Sequence, residues 1–155
     1  MISRLTALTL VAASLLVSAC GGKTPDPVIA PMTLHTGETP EMRALVQKYA
    51  TFYEIPESLL HRVIQRESGY NAAARNGPYH GLMQIHPQTA QGMGYTGPAS
   101  GLLEADTNLT YAGKYLKGAW MVSGGDEDKA VMWYSKGYYY EAKRLGLLDA
   151  TGLSL

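Results

Sequence analysis

From residue 39 onward the apolar side chains recur at intervals of three and four, the period of an α-helix that buries one face. Thr39-Pro40-Glu41 supplies an N-cap, a proline for the first turn and an early acid, and Met42, Leu45, Val46, Tyr49 and Phe52 or Tyr53 follow at helical spacing. A first helix is predicted there. Ile55-Pro56-Glu57-Ser58 opens a second, with Leu59, Leu60, Val63 and Ile64 as its apolar stripe and Arg62, Gln65 and Arg66 off it. His86-Pro87-Gln88-Thr89-Ala90 predicts a short helix that stops at Gly92 or Gly94. Another begins at Asp106 or Thr107 and runs through Leu109, Ala112, Tyr115, Leu116 and Ala119 until Ser123-Gly124-Gly125 breaks it. The acidic turn Asp126-Glu127-Asp128 suits a helix N-terminus and starts a last helix that continues to Leu145. Asn76-Gly77-Pro78, and Gly97-Pro98 with Gly101, read as loops. No β-hairpin signal stands out, so the expected fold is mainly α with little or no β structure.

One position interrupts the second stripe. With Leu60 set at zero on a helical wheel, Ile64 lies at about 40°, Val63 at about −60° and Glu67 at about −20°, so a carboxylic acid takes the place of the next leucine. Stripping water from a carboxylate is costly, and a protein answers by raising the pKa or by supplying donors, either of which suits proton transfer. The competing placement ends the helix near Ser68-Gly69 and leaves Glu67 in a last turn, facing solvent or paired with an arginine.

Upstream of residue 39 the pattern is of another kind. Met1-Ile2-Ser3-Arg4 carries one positive charge, and the apolar run from Leu5 to Val17 is about thirteen residues, short of the roughly 20 a spanning helix needs. A cleaved signal over residues 1–19 is expected. Leu16-Val17-Ser18-Ala19-Cys20-Gly21 resembles the bacterial lipobox, which implies lipidation at Cys20, a membrane anchor through that lipid, and, with Gly21 following, the periplasmic face of the outer membrane. The alternative is an ordinary secretory signal with a chance cysteine. Pro25, Pro27 and Pro31, with Pro40 at the margin, make residues 20–38 an expected tether, leaving 39–155 as the globular domain.

Composition narrows the function. The chain has 155 residues, 46% of them apolar and 17% charged, which suits one globular unit. Thirteen Lys and Arg balance thirteen Asp and Glu, so the basic footprint of a nucleic-acid binder is missing. A single cysteine excludes an internal disulfide and any Cys-rich metal site. His35, His61, His80 and His86 share no metal-ligand spacing, and no glycine loop of the phosphate-binding kind is evident, so neither metal nor cofactor is expected.

Glu67-Ser68-Gly69-Tyr70-Asn71, then Gly81-Leu82-Met83-Gln84-Ile85 with Pro87 and Thr89-Ala90, resembles the signature of the soluble-lytic-transglycosylase (SLT) domains of the lysozyme-like superfamily. The likeness continues in Leu103-Glu104-Ala105-Asp106-Thr107-Asn108-Leu109, similar to the family's Asp-Pro-x-x-Asn-Ile, in Tyr111 to Leu116, and in Trp133-Tyr134-Ser135-Lys136-Gly137 at the place of Ala-Tyr-Asn-x-Gly. The resemblance spans roughly residues 60–140. It implies a lysozyme-like helical domain, expected as a monomer, that acts on the glycan strands of peptidoglycan: it cleaves the β-1,4 bond between N-acetylmuramic acid and N-acetylglucosamine and closes a 1,6-anhydro ring. Glu67 would be the catalytic acid and then base. Gln84 would hydrogen-bond substrate, Tyr134 would aim its hydroxyl at Glu67, and His86 and Thr89 would line the sugar groove. Leu82 and Met83 would pack beneath the site. The family's serine ahead of the Gly-Leu-Met-Gln block is replaced by Asn76, whose amide would serve instead, in a loop one residue shorter. Glu104 and Ser135 are further departures.

The physics of the residues is compatible with that chemistry. An ordinary glycosidase needs two flanking carboxylates, but only Glu67 falls within the signature. If the sugar's own N-acetyl group stabilises the cationic carbon and its own 6-hydroxyl attacks, one acid performs both proton transfers. Eleven tyrosines suit a glycan groove, with about half expected in the core. Two rivals remain at this stage: a muramidase that adds water, of the goose-type lysozyme kind, with Asp106 or Glu104 as a second acid, and a non-enzymatic lipoprotein that binds peptidoglycan.

Overall fold

A computed structural model describes residues 33–154, so the expected signal peptide, the lipidation site Cys20 and the tether up to residue 32 lie outside the described residues. Helix α1 covers Pro40–Tyr53. The Thr39 hydroxyl accepts from the Met42 amide at 3.2 Å, Pro40 takes the first helical position, and Glu54 closes the helix in the left-handed region at φ 50°. Helix α2 is Glu57–Glu67, and its stripe Leu59, Leu60, Val63 and Ile64 is buried as the spacing requires. A short helix α3, Pro87–Gly92, is capped by His86, and a 3-10 turn follows at Ala99–Leu103 where the sequence reads as loop.

Helix α4, Ala105–Val122, is the long central element. Leu109, Ala112, Leu116 and Ala119 are wholly buried on it, and α1, α3, the 3-10 turn and α5 (Glu127–Lys136) pack around it. Two tyrosines bind α1 to α4: the Tyr49 hydroxyl meets Thr110 Oγ1 at 2.7 Å, and the Tyr53 hydroxyl donates to the Thr110 carbonyl.

Two expectations need correction. The last helix does not run on to Leu145. Gly137 interrupts it at φ 81°, a backbone state that side chains with a Cβ rarely adopt, and the chain restarts as α6, Tyr139–Leu145, and α7, Leu148–Thr151. Between α5 and α6 the Tyr138 ring is driven inward, with its hydroxyl donating to the Tyr115 carbonyl at 2.9 Å. A hairpin also exists: β1 (Arg75–Asn76) pairs antiparallel with β2 (Tyr79–His80) across Gly77-Pro78. Strands of two residues offer no alternation to read. The fold class is unaffected, mainly α and lysozyme-like.

Residues just ahead of 39 also pack against the helices. Glu38 is buried, and Arg43 grips its carboxylate from Nε and an Nη nitrogen, both at 2.6 Å, while the His35 amide donates to it at 2.8 Å. The Arg43 bond holds the Glu38 pKa down at about 2. Because the folded value lies below the ordinary one, this stabilisation is complete above about pH 4.5 and fades as pH falls toward 2. Glu38→Gln is therefore expected to cost about 2–3 kcal/mol at pH 7 and much less at pH 3. Urea unfolding at the two pH values checks this, and a variant that tracks the wild type at both would refute it.

Candidate active site

Glu67 is the last residue of α2, so both placements read from the sequence are partly realised: the helix ends there, yet the side chain is only 23% exposed. Burial raises its pKa, and the nearby Arg66 charge opposes the rise, with Arg66 Nε 3.5 Å from Glu67 Oε1. Beyond the acid the chain turns sharply. Gly69 and Tyr70 both have positive φ, and the Ser68 hydroxyl ties the turn to the Leu82 carbonyl at 2.7 Å. That bond brings the Gly81-Leu82-Met83-Gln84 loop beside Glu67.

The other wall comes from α5, aligned with α2 by polar contacts along both helices. Ser58 Oγ meets Glu127 at 2.6 Å, Arg62 meets Asp128 at 2.6 Å, and Arg66 donates to Ser135 Oγ at 2.7 Å. The last of these sets Tyr134 and Ser135 opposite the acid. Between the walls lies a cavity of about 330 Å³ lined by Arg66, Glu67, Asn76, Tyr79, Gln84, Tyr134 and Ser135. A second, of about 290 Å³, shares Tyr79, Gln84, Tyr134 and Ser135 with it and extends along Ile85, His86, Gln88, Thr89, Tyr115, Lys136 and Gly137. Of the residues expected at the site, Glu67, Asn76, Gln84 and Tyr134 line the first cavity, and His86 and Thr89 the second.

Gln84 is 9% exposed and held at φ 49°. Its amide nitrogen donates to the Gly81 carbonyl at 2.8 Å and the Ala74 carbonyl at 3.1 Å. Two carbonyl partners fix the amide orientation, since a flip would set oxygen against oxygen. The side-chain oxygen, Oε1, is left as the one buried side-chain polar atom among the described residues without a hydrogen-bond partner. Such an atom costs about 1–3 kcal/mol unless a donor reaches it.

Tyr134 does not direct its proton at Glu67 as expected. The hydroxyl donates to the Met83 carbonyl at 2.9 Å, and burial first, then the Glu67 charge, push its pKa well up. The donor is spent, so the phenol oxygen can only accept from other groups in the cleft. His86 Nδ1 accepts from the Gln88 amide at 3.2 Å, and its ring meets that of Tyr79 edge-on. Leu82 and Met83 are wholly buried.

Glu67 is the single carboxylic acid lining either cavity. Asp106 is engaged by Lys48 at 2.7 Å, and Glu104 is the residue preceding α4; neither lines the cleft. Sequence reasoning missed Tyr79, Arg66 and Lys136 as lining residues. Only the register of the hairpin, which sets Tyr79 opposite Asn76, would have found the first. It also missed that His35, Glu38 and His61, with no motif spacing, bring their donor atoms within 4.8 Å of one another. There Arg43 already supplies the positive charge, and His61 Nδ1 bonds the Tyr70 hydroxyl at 2.6 Å.

The family described as the transglycosylase SLT domain matches residues 44–146. No solved structure matches the chain significantly. The matched span begins within α1, ends just past α6 and contains every residue that lines the two cavities, and on that ground the chain belongs to the transglycosylase SLT domain family, whose activity is directed at peptidoglycan.

Proposed function

We propose that this protein is a lytic transglycosylase that cleaves the β-1,4 bond between N-acetylmuramic acid and N-acetylglucosamine and leaves a 1,6-anhydromuramic terminus. The observation that carries the reading is a lone, burial-shifted carboxyl in a cleft whose lining offers no second acid. Glu67 starts protonated and gives its hydrogen to the glycosidic oxygen as the bond from that oxygen to C1 breaks. The neighbouring N-acetyl carbonyl supports the cationic C1. The Glu67 carboxylate then takes the proton of the same sugar's 6-hydroxyl, whose oxygen closes on C1, so the acid returns to its starting state and no water is consumed.

Two neighbours fit those steps. Burial of the Glu67 side chain, against the opposing Arg66 charge, favours its protonated form, and Tyr134, its hydroxyl donating to the Met83 carbonyl, walls the cleft beside it. Gln84 Oε1 awaits a donor, which an N-acetyl N–H or a sugar hydroxyl supplies. A hydrolysing muramidase of the two-carboxylate kind needs a second acid, and Asp106 is committed to Lys48. Mass spectrometry of digested peptidoglycan tests the proposal. Muramic termini lighter by one water than hydrolysed ones are expected; reducing-end muramic acid as the main product would overturn it.

A further inference from the structure

The second cavity differs from the first in charge. No carboxylate lines it, and Lys136 is among its lining residues. Lys136 ends α5, is exposed, and has no ion-pair or hydrogen-bond partner among the described residues. Arg66, the cation of the first cavity, is by contrast occupied with Ser135 and Glu67. A lysine at a helix C-terminus gains a little from the helix dipole, but that gain needs no cavity beside it. Here the Gly137 break at φ 81° stops α5 at this residue and turns the chain away, and Gly137 itself lines the same cavity.

We propose that the second cavity is a subsite for the carboxylates of the peptide stem, with Lys136 as the cation that recognises them. The inference rests on the proposed action on peptidoglycan, and it names which part of that substrate the cavity takes. The sugars of the strand are neutral once the lactyl carboxyl is amide-linked, so the anionic groups the substrate offers are those of its peptides. Tyr79, Gln84 and Tyr134 border both cavities. A muramic acid held at Glu67 therefore has its substituents within reach of Lys136.

Binding of the full-length Glu67→Gln protein to intact sacculi, and to sacculi whose stem carboxyls have been amidated, reads the subsite without turnover. Amidation is expected to weaken binding roughly three- to fivefold, and about 0.5 M salt to remove the difference. Adding Lys136→Gln should produce the same loss on intact sacculi and no further loss on amidated ones, and Lys136→Arg should restore most of it. Equal binding of the two sacculi by the Glu67→Gln protein, or a Lys136→Gln loss of the same size on both, would overturn the subsite. The reaction itself is read separately from the products of the unsubstituted enzyme, so hydrolysed termini would reject the transglycosylase reading while the binding comparison still decides the role of Lys136.

Discussion

Glu67→Gln is expected to abolish glycan cleavage, by about 10²–10⁴-fold, while leaving the domain folded. The amide keeps the volume and the planar shape of the carboxyl but has no acidic proton to give and no charge with which to accept one. The same substitution should not destabilise the protein at neutral pH and should raise its unfolding midpoint slightly. Burial raises the folded-state pKa of Glu67 above its ordinary value, which means that ionisation weakens the native state as pH rises, and glutamine removes that penalty. Activity of the unsubstituted enzyme follows from the same shift: the rate holds on the acid side and falls as pH climbs through the raised value and the donor form is lost. Product release by mass spectrometry, thermal unfolding at pH 7 and a pH profile check the three parts. Cleavage within tenfold of the original enzyme, or a profile flat into strong alkali, would reject the role of Glu67.

The largest effect on stability is expected at Asn108, which is completely buried. Its side-chain carbonyl accepts from the Met83 amide at 2.9 Å, and its nitrogen donates to the His80 carbonyl at 2.9 Å and the Leu102 carbonyl at 2.8 Å. One side chain thus satisfies three backbone groups drawn from β2, the Gly81–Gln84 loop and the 3-10 turn. The space around it is full. A Cβ on Gly81 would lie 2.3 Å from the Asn108 amide nitrogen and 2.1 Å from the Leu102 oxygen. Asn108→Ala leaves the Met83 amide and the Leu102 carbonyl unpaired, at about 1–3 kcal/mol each, while the His80 carbonyl keeps the Ile85 amide at 3.1 Å; with the cavity left behind, the substitution is expected to remove about 3–5 kcal/mol, a large share of the 5–15 kcal/mol typical of a domain. Asn108→Leu should fare no better, since it restores volume and not bonding. Urea unfolding measures both, and a loss under about 1 kcal/mol would show that the loop is held by something else. Cleavage should fall as well, because the same loop positions Gln84.

These two residues mark how far the sequence could be read. Glu67 was visible because a helix stripe is local, and a carboxyl at the next apolar position can be located by counting. Asn108 was visible only as a letter in a family motif. Its three partners are 6, 25 and 28 residues away in the chain, and no periodic signal encodes such a convergence. The start of α1 was legible from Thr39-Pro40 because capping is also local chemistry. The end of α5 was not, since a helical pattern continues past Gly137 and the break depends on tertiary space for the Tyr138 ring. Tyr134 lines the cleft, but the acceptor of its hydroxyl, the Met83 carbonyl, depends on how the loop folds back. Lys136 reads from sequence as an ordinary solvated charge, and its distinction lies entirely in the cavity it borders.

The stretch ahead of α1 changes where this domain can be cut. The family match starts at residue 44, beyond the Thr39 cap and beyond Arg43. A fragment excised at that boundary would begin inside a helix with its cap removed and would also lack Glu38, the His35 ring that stacks on Tyr70, and Gly37, whose α-carbon sits so near the Gly69 carbonyl that an added methyl would overlap it. The outline drawn by kinship is therefore smaller than the set of residues packed on the turn behind the acid, and a scissor line set upstream of residue 33 keeps that turn buttressed.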